Sequence, residues 1–129
     1  MQSVLELLHQ LVVELPIDKS RLYVTGLSAG GYGTWEIIER RPDLFAAAIP
    51  ICGCGDVALA ARLKDLPIWA FHGDKDTAVE PQCTLVMIEA IRKAGGKPKV
   101  TIYPGVGHNC CDMTYANPAV LAWLFAQRN

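Results

Sequence analysis

The segment Gly26-Leu27-Ser28-Ala29-Gly30-Gly31 constrains this chain more than any other. It follows a short β-branched and aromatic run, Arg21 to Gly26 (RLYVTG), and leads into a helix-compatible run, Gly31 to Arg40, closed by Pro42. A chain that turns abruptly from strand into helix needs small residues beside the turn. The residue at the apex occupies a strained backbone conformation that leaves no room for neighbouring side chains. Gly26, Gly30 and Gly31 are expected to supply that room. Ser28 would then lift its hydroxyl above the end of the strand, at the N-terminus of the following helix, where negative charge is favoured.

The rest of the chain repeats the strand-then-helix rhythm. Residues 4 to 15 (VLELLHQLVVEL) place Val4, Leu7, Leu8, Leu11, Val12 and Leu15 at helical spacing until Pro16 ends the run. Phe45 to Cys52, Pro67 to His72 and Lys99 to Tyr103 read as three further strands. Between them lie a short helix, Val57 to Leu63, with Asp56 as its N-cap, and a longer one, Pro81 to Ala94, stopped by Gly95 and Gly96. After a loop from Pro104 to Ala116, Asn117 and Pro118 open a last apolar helix, Ala119 to Gln127. Near-continuous apolar strands separated by helices imply an α/β fold: one domain over residues 1–129, with about four parallel strands flanked by helices on both faces. Such sheets carry their functional loops at the strand C-termini.

Composition excludes several classes of partner. With 129 residues, a net charge of −1 and no Lys/Arg run, the chain has no electrostatic footprint for nucleic acid or for a membrane surface. The longest apolar run, Phe45 to Cys52, contains Pro50 and is far short of the ~20 residues that span a bilayer. No signal peptide is legible before the first helix, and five cysteines would leave one unpaired in a secreted framework. A soluble protein in a reducing, cytoplasmic compartment is the expectation.

A serine hydroxyl needs a base, and the base needs an orienting carboxylate. Strand three runs into His72-Gly73-Asp74-Lys75-Asp76, and strand four into Tyr103-Pro104-Gly105-Val106-Gly107-His108. Both loops lie on the same rim as Ser28. His108 is the candidate base, and Asp76 is preferred over Asp74, because two further residues of loop let it bend toward His108 while Asp74 ties the turn to backbone N–H groups. His72 is expected to stabilise the turn, and His9 to be solvated.

The stretches GLSAGGYGTWE, AAAIPICGCGD, PIWAFHGDKDTAV and YPGVGHNCCDMTYANP resemble the C-terminal half of an α/β-hydrolase. The closest branch is that of dienelactone-hydrolase-like and phospholipase/carboxylesterase-like esterases. The resemblance implies that Ser28 is the nucleophile, Asp76 the acid and His108 the base, that the Ala29 N–H is an oxyanion donor, and that the substrate is a small carboxylic ester. No metal or organic cofactor is implied. Tyr32 and Cys111 are candidate substrate contacts, Cys111 standing where the family often has a large aromatic.

Two departures matter. Family members carry further strands before the nucleophile strand, and the loop that normally gives the second oxyanion donor belongs to that part. The RLYVTG strand is therefore expected to form an apolar sheet edge and to drive homo-oligomerisation. Without an insertion long enough for a lid, an open site for short acyl chains is expected. A zinc site from Cys52, Cys54, His108, Cys110 and Cys111 is disfavoured, because the spacing matches no common zinc pattern. Cys83, Trp35, Trp69 and Trp123 are expected to be packing residues.

Overall fold

The computed structural model describes residues 1–129. Its centre is a four-stranded parallel sheet in chain order, β1 (Tyr23–Leu27), β2 (Ala47–Ile51), β3 (Trp69–Gly73) and β4 (Lys99–Tyr103). The helices are α1 (Gln2–Glu14), α2 (Ala29–Arg40), α3 (Gln82–Lys93), α4 (Cys111–Ala116) and α5 (Pro118–Ala126), with 3₁₀ turns at Lys19–Arg21 and Val57–Leu63. Consecutive parallel neighbours joined by right-handed crossovers put every connecting helix on one face. That face is packed by Trp35, Ile38, Leu63, Met87, Ile88 and Ile91 against Ala48, Ile68 and Ala70. Val120 and Leu124 of α5 cover the other face, over Ala47, Ile49, Ile51 and Phe71. The α/β architecture expected from the sequence is the one observed.

The ladder shows where sequence disturbs regularity. β1 pairs with β2 along its whole length, from Tyr23↔Ala47 to Leu27↔Ile51, and β3 pairs with β4 in the same way. Between β2 and β3 only Ile51↔Phe71 and the bridge Ala48↔Ile68 form. Ala48 N–H and Cys52 N–H both donate toward β3, so residue 50 between them faces the same side. Pro50 has no N–H to give, and the ladder is interrupted there.

Several boundaries and one element differ from the sequence reading. Residues 111–116, expected within a loop, form α4, whose Thr114 hydroxyl donates back to Cys110 O at 2.8 Å. The Val57–Leu63 helix is 3₁₀, with Asp56 capping Ala58 N–H as expected. Asn117 caps α5 through Ala119 N–H. α1 forms but buries none of its residues. Leu5 and Leu8 pack on the core, whereas Val4, Leu7, Leu11 and Leu15 of the expected apolar face stand exposed, because the sheet ends at β1.

The aromatic residues behave as packing groups. Trp35 is fully buried in the core. Trp69 stacks on Phe71 and meets Trp123 edge-on, with the Lys99 ammonium 3.8 Å from the Trp69 ring centre. No helix is long and apolar enough to cross a membrane.

Candidate active site

The turn from β1 into α2 adopts the strained form that its sequence demands. Ser28 sits at φ 53°, ψ −114° as the residue before α2. A Cβ on Gly26 would collide with the Gly30 carbonyl, and one on Gly31 with the Ile51 carbonyl, so both positions require glycine. Gly30 differs from expectation: a Cβ there would meet open space, so close packing does not require its glycine. Ser28 N–H is shared between Ile51 O at 3.0 Å and Cys52 Sγ at 3.3 Å, which fixes the apex from the end of β2. Cys52 itself has φ 42° and is buried.

The other two loops reach the same place because they are pressed together. A Cβ on Gly73 would strike Val106 O and Gly107 O, so the chain after β3 runs directly against the chain after β4. Lys75 N–H donates to Val106 O at 2.9 Å, and Gly105 N–H donates to Asp74 Oδ1 at 2.7 Å. Asp74 thus ties the two loops, and Asp76 faces His108. The Asp76 carboxylate is buried; Oδ1 accepts from Ala78 and Val79 N–H, each at 2.9 Å, and Oδ2 lies 2.7 Å from His108 Nδ1. His108 Nε2 lies 2.9 Å from Ser28 Oγ, and its side chain is 35% exposed. Burial pushes the Asp76 carboxyl up, but the Val79 N–H, His108 and the Ala78 N–H together outweigh it and hold the group below its ordinary value. A hydroxyl bonded to an imidazole that is bonded to a buried carboxylate can lose its proton as it attacks an electrophile.

Ala29 opens α2 and is exposed beside Ser28, so its backbone N–H belongs to the helix turn that has no intrahelical acceptor. Tyr32, one turn on, is 45% exposed. Cys111 is half-buried at the start of α4, its thiol donating to Asn109 Oδ1 at 3.4 Å. None of the cavities in the structure is lined by Ser28, Asp76, His108, Tyr32 or Cys111, and Ser28 itself is half-buried.

The cysteines depart from expectation. Cys54 and Cys83 form a disulfide, joining the loop after β2 to the first turn of α3. Cys83 is therefore half-buried and bridged rather than a free packing residue. Cys52, Cys110 and Cys111 remain free, and burial pushes the Cys52 thiol up and that of Cys110 up to about 12. An odd number of cysteines stays free after this pair forms, but the disulfide itself is a bond that a reducing compartment disfavours. The disulfide also removes Cys54 from any zinc set. Donor atoms of Cys52, Asp76 and His108 do lie within 4.8 Å of one another, but both imidazole nitrogens and the carboxylate are already engaged by Ser28, by each other and by backbone N–H groups.

Two further residues shape the rim: His72, expected to stabilise the turn and bonded to Val79 O at 2.7 Å, and Glu39, which no motif includes. His72 is fully buried with a ring nitrogen 3.2 Å from Asp76 Oδ2; its only signal in sequence is the His-to-Asp spacing of four within HGDKD. Glu39, on α2, accepts Asp56 N–H at 2.7 Å and so anchors the loop after β2. Burial raises its carboxyl.

The fold is shared with known hydrolases. Residues 1–70, which include the Ser28 turn, match the Prolyl oligopeptidase family. A Salmonella typhimurium protein assigned by inference as a carboxymethylenebutenolidase is 31% identical over 101 residues, 70% of this chain and 37% of its own length. A thermostable esterase of known structure superposes with a TM-score of 0.96 at 42% identity, over 99% of this chain and 36% of that one. The acylaminoacyl peptidase of Pyrococcus horikoshii shares the fold at a TM-score of 0.76 and 20% identity, over 87% of this chain and 24% of that one. The chain thus spans little more than a third of the length of the Salmonella protein and of the thermostable esterase. With a matched segment that runs from α1 through the strained serine turn to β3, on a parallel sheet shared with esterases and peptidases alike, the chain belongs to the prolyl oligopeptidase family.

Proposed function

We propose that the chain is the nucleophile-bearing part of a serine esterase that hydrolyses short-chain carboxylic esters by acyl transfer. The observation that carries this reading is the continuous run Ser28 Oγ, His108 Nε2, His108 Nδ1, Asp76 Oδ2, with spacings of 2.9 and 2.7 Å, beneath an apex of positive φ. Ser28 Oγ attacks the ester carbonyl while His108 Nε2 takes its proton, and the Nδ1–H donated to Asp76 fixes the tautomer. The tetrahedral oxyanion forms beside the Ala29 N–H at the head of α2. Collapse breaks the bond to the alcohol, which leaves with the proton from His108. Water then attacks the acyl-serine, giving its proton to His108, and Ser28 regains it as the acid departs. The loops that follow β1, β3 and β4 are too short to form a lid, which favours short acyl groups as substrate.

One oxyanion donor is in reach, and losing a second costs about 10²–10³ in kcat, so slow turnover is expected from this chain alone. Hydrolysis of p-nitrophenyl acetate and butyrate faster than of the octanoate, abolished in Ser28→Ala, supports the reading. Turnover unchanged in Ser28→Ala sinks it.

The exposed α1 face and β1 edge favour a second component: pairing with another copy of the chain, whose backbone would supply a second oxyanion donor. Light scattering that shows dimers or larger assemblies supports this, and a monomer at high concentration removes it. If Ser28 proves unreactive, the same exposed flank makes a catalytically idle assembly module the alternative.

A further inference from the structure

We propose that His72 is a positioning residue that sets the orientation of Asp76. Its kinetic consequences rest on the reading of Ser28 as nucleophile, and its spectroscopic ones do not. His72 is fully buried near the C-terminal end of β3, four residues before Asp76. Its Nε2 lies 2.7 Å from the Val79 carbonyl. A carbonyl only accepts, so Nε2 carries a hydrogen. The same nitrogen is 3.2 Å from Asp76 Oδ2, the oxygen that receives His108.

Val79 is held at both ends by this arrangement. Its carbonyl takes the hydrogen of His72, and its N–H, together with that of Ala78, donates to Asp76 Oδ1. The imidazole therefore braces the peptide that grips one carboxylate oxygen and sets a positive N–H edge against the other. The remaining ring nitrogen, Nδ1, lies 2.8 Å from the buried Thr84 hydroxyl on α3. The ring is thus fixed from two elements, and the contacts run without a break from Thr84 through His72, Asp76 and His108 to Ser28. A histidine serving only to close the turn would satisfy its Val79 bond without approaching Oδ2. Removing this one leaves the Val79 carbonyl bare and lets the carboxylate turn away from His108.

The test uses the full chain with ¹⁵N-labelled histidine. Imidazole shifts should show His72 with hydrogen on Nε2, and the His108 Nδ1–H bonded to Asp76 should give a low-field proton resonance. His72→Leu should displace or erase that resonance and slow fluorophosphonate labelling of Ser28 by about 10²-fold, the scale of a misplacement near 1 Å. His72→Gln, which keeps an N–H for Val79, should restore most of both. Should His72→Leu fail to fold, Thr84→Val, nearly the same shape without the hydroxyl, should still move the His72 nitrogen shifts and the His108 proton. A bare Nε2 on His72, or an unmoved His108 proton in folded His72→Leu or in Thr84→Val, overturns the proposal. Absence of labelling in the parent chain counts against the esterase reading alone, since the resonances report on His72 independently.

Discussion

β2, apolar throughout, buries every one of its residues, while α1, with an apolar stripe on one side, buries none. The difference is one of neighbours. β2 lies between β1 and β3 with helices over both faces, whereas α1 lies beside an edge strand with its outer leucines in solvent. The strand ends that carry Ser28, Asp76 and His108 thus rest on a fully packed centre at β2 and β3, and the sparse flank is where another surface has most to gain by docking. Apolar periodicity reports which face seeks cover, and not whether the chain itself provides it.

Substitutions measure that contrast directly. Phe71→Ala empties the packed centre between Ile51 and α5 and should lower unfolding free energy by about 3–5 kcal/mol, read by urea denaturation. A loss below 1 kcal/mol would show the two regions to be equally loose. Removing the Cys54–Cys83 bridge with serines releases a loop of 29 residues' separation and should cost about 3–4 kcal/mol by loop entropy. Little change on adding reductant to the parent chain would break that expectation.

The packed side should also respond to acid. Asp76 titrates lower folded than unfolded, so its stabilisation is complete above its ordinary value of 3.8 and is lost as pH falls through the depressed one. Denaturation midpoints should therefore drop at the acid end, and Asp76→Asn should flatten the drop. Glu39 has the opposite sign: burial raises its carboxyl, so the ionised form weakens the fold at neutral pH and the penalty is relieved as pH falls through the raised value. Glu39→Gln, which keeps an acceptor for Asp56 N–H, should be as stable as the parent or slightly more so at pH 7. On the sparse flank, Leu7→Gln should change unfolding by no more than about 0.5 kcal/mol. Under the proposed pairing of copies, its effect should appear in association, as a shift toward monomer in light scattering.

Much of this was legible in the sequence. Four apolar runs, each followed by a break and a helical period, point to a parallel sheet, whereas its strand order is read from the structure alone. The Ser28, Asp76 and His108 candidates came from loops at strand ends, and the geometry brings all three within hydrogen-bonding reach. What escaped notice depends on contacts distant in sequence. Cys54 and Cys83 look like any two cysteines until β2 and α3 are packed together. His72 is read as bracing the turn, as its Val79 bond shows, but its tie to Thr84 on α3 is visible only once the two are packed together. Gly30 was assigned a steric duty that the open space around it does not require. α4 was masked by Cys110 and Cys111 after a glycine-rich stretch, because its anchor, Tyr103 OH against Thr114 Oγ1, reaches back to β4.

The central claim is that Ser28 is activated by His108, and covalent labelling tests it without knowledge of the natural ester. Intact-mass and peptide mapping after fluorophosphonate treatment should show one adduct, on Ser28. The adduct should be absent in Ser28→Ala and formed about 10²–10⁴ times more slowly in His108→Ala. No adduct, or labelling at Ser28 that proceeds equally fast without His108, would contradict the account.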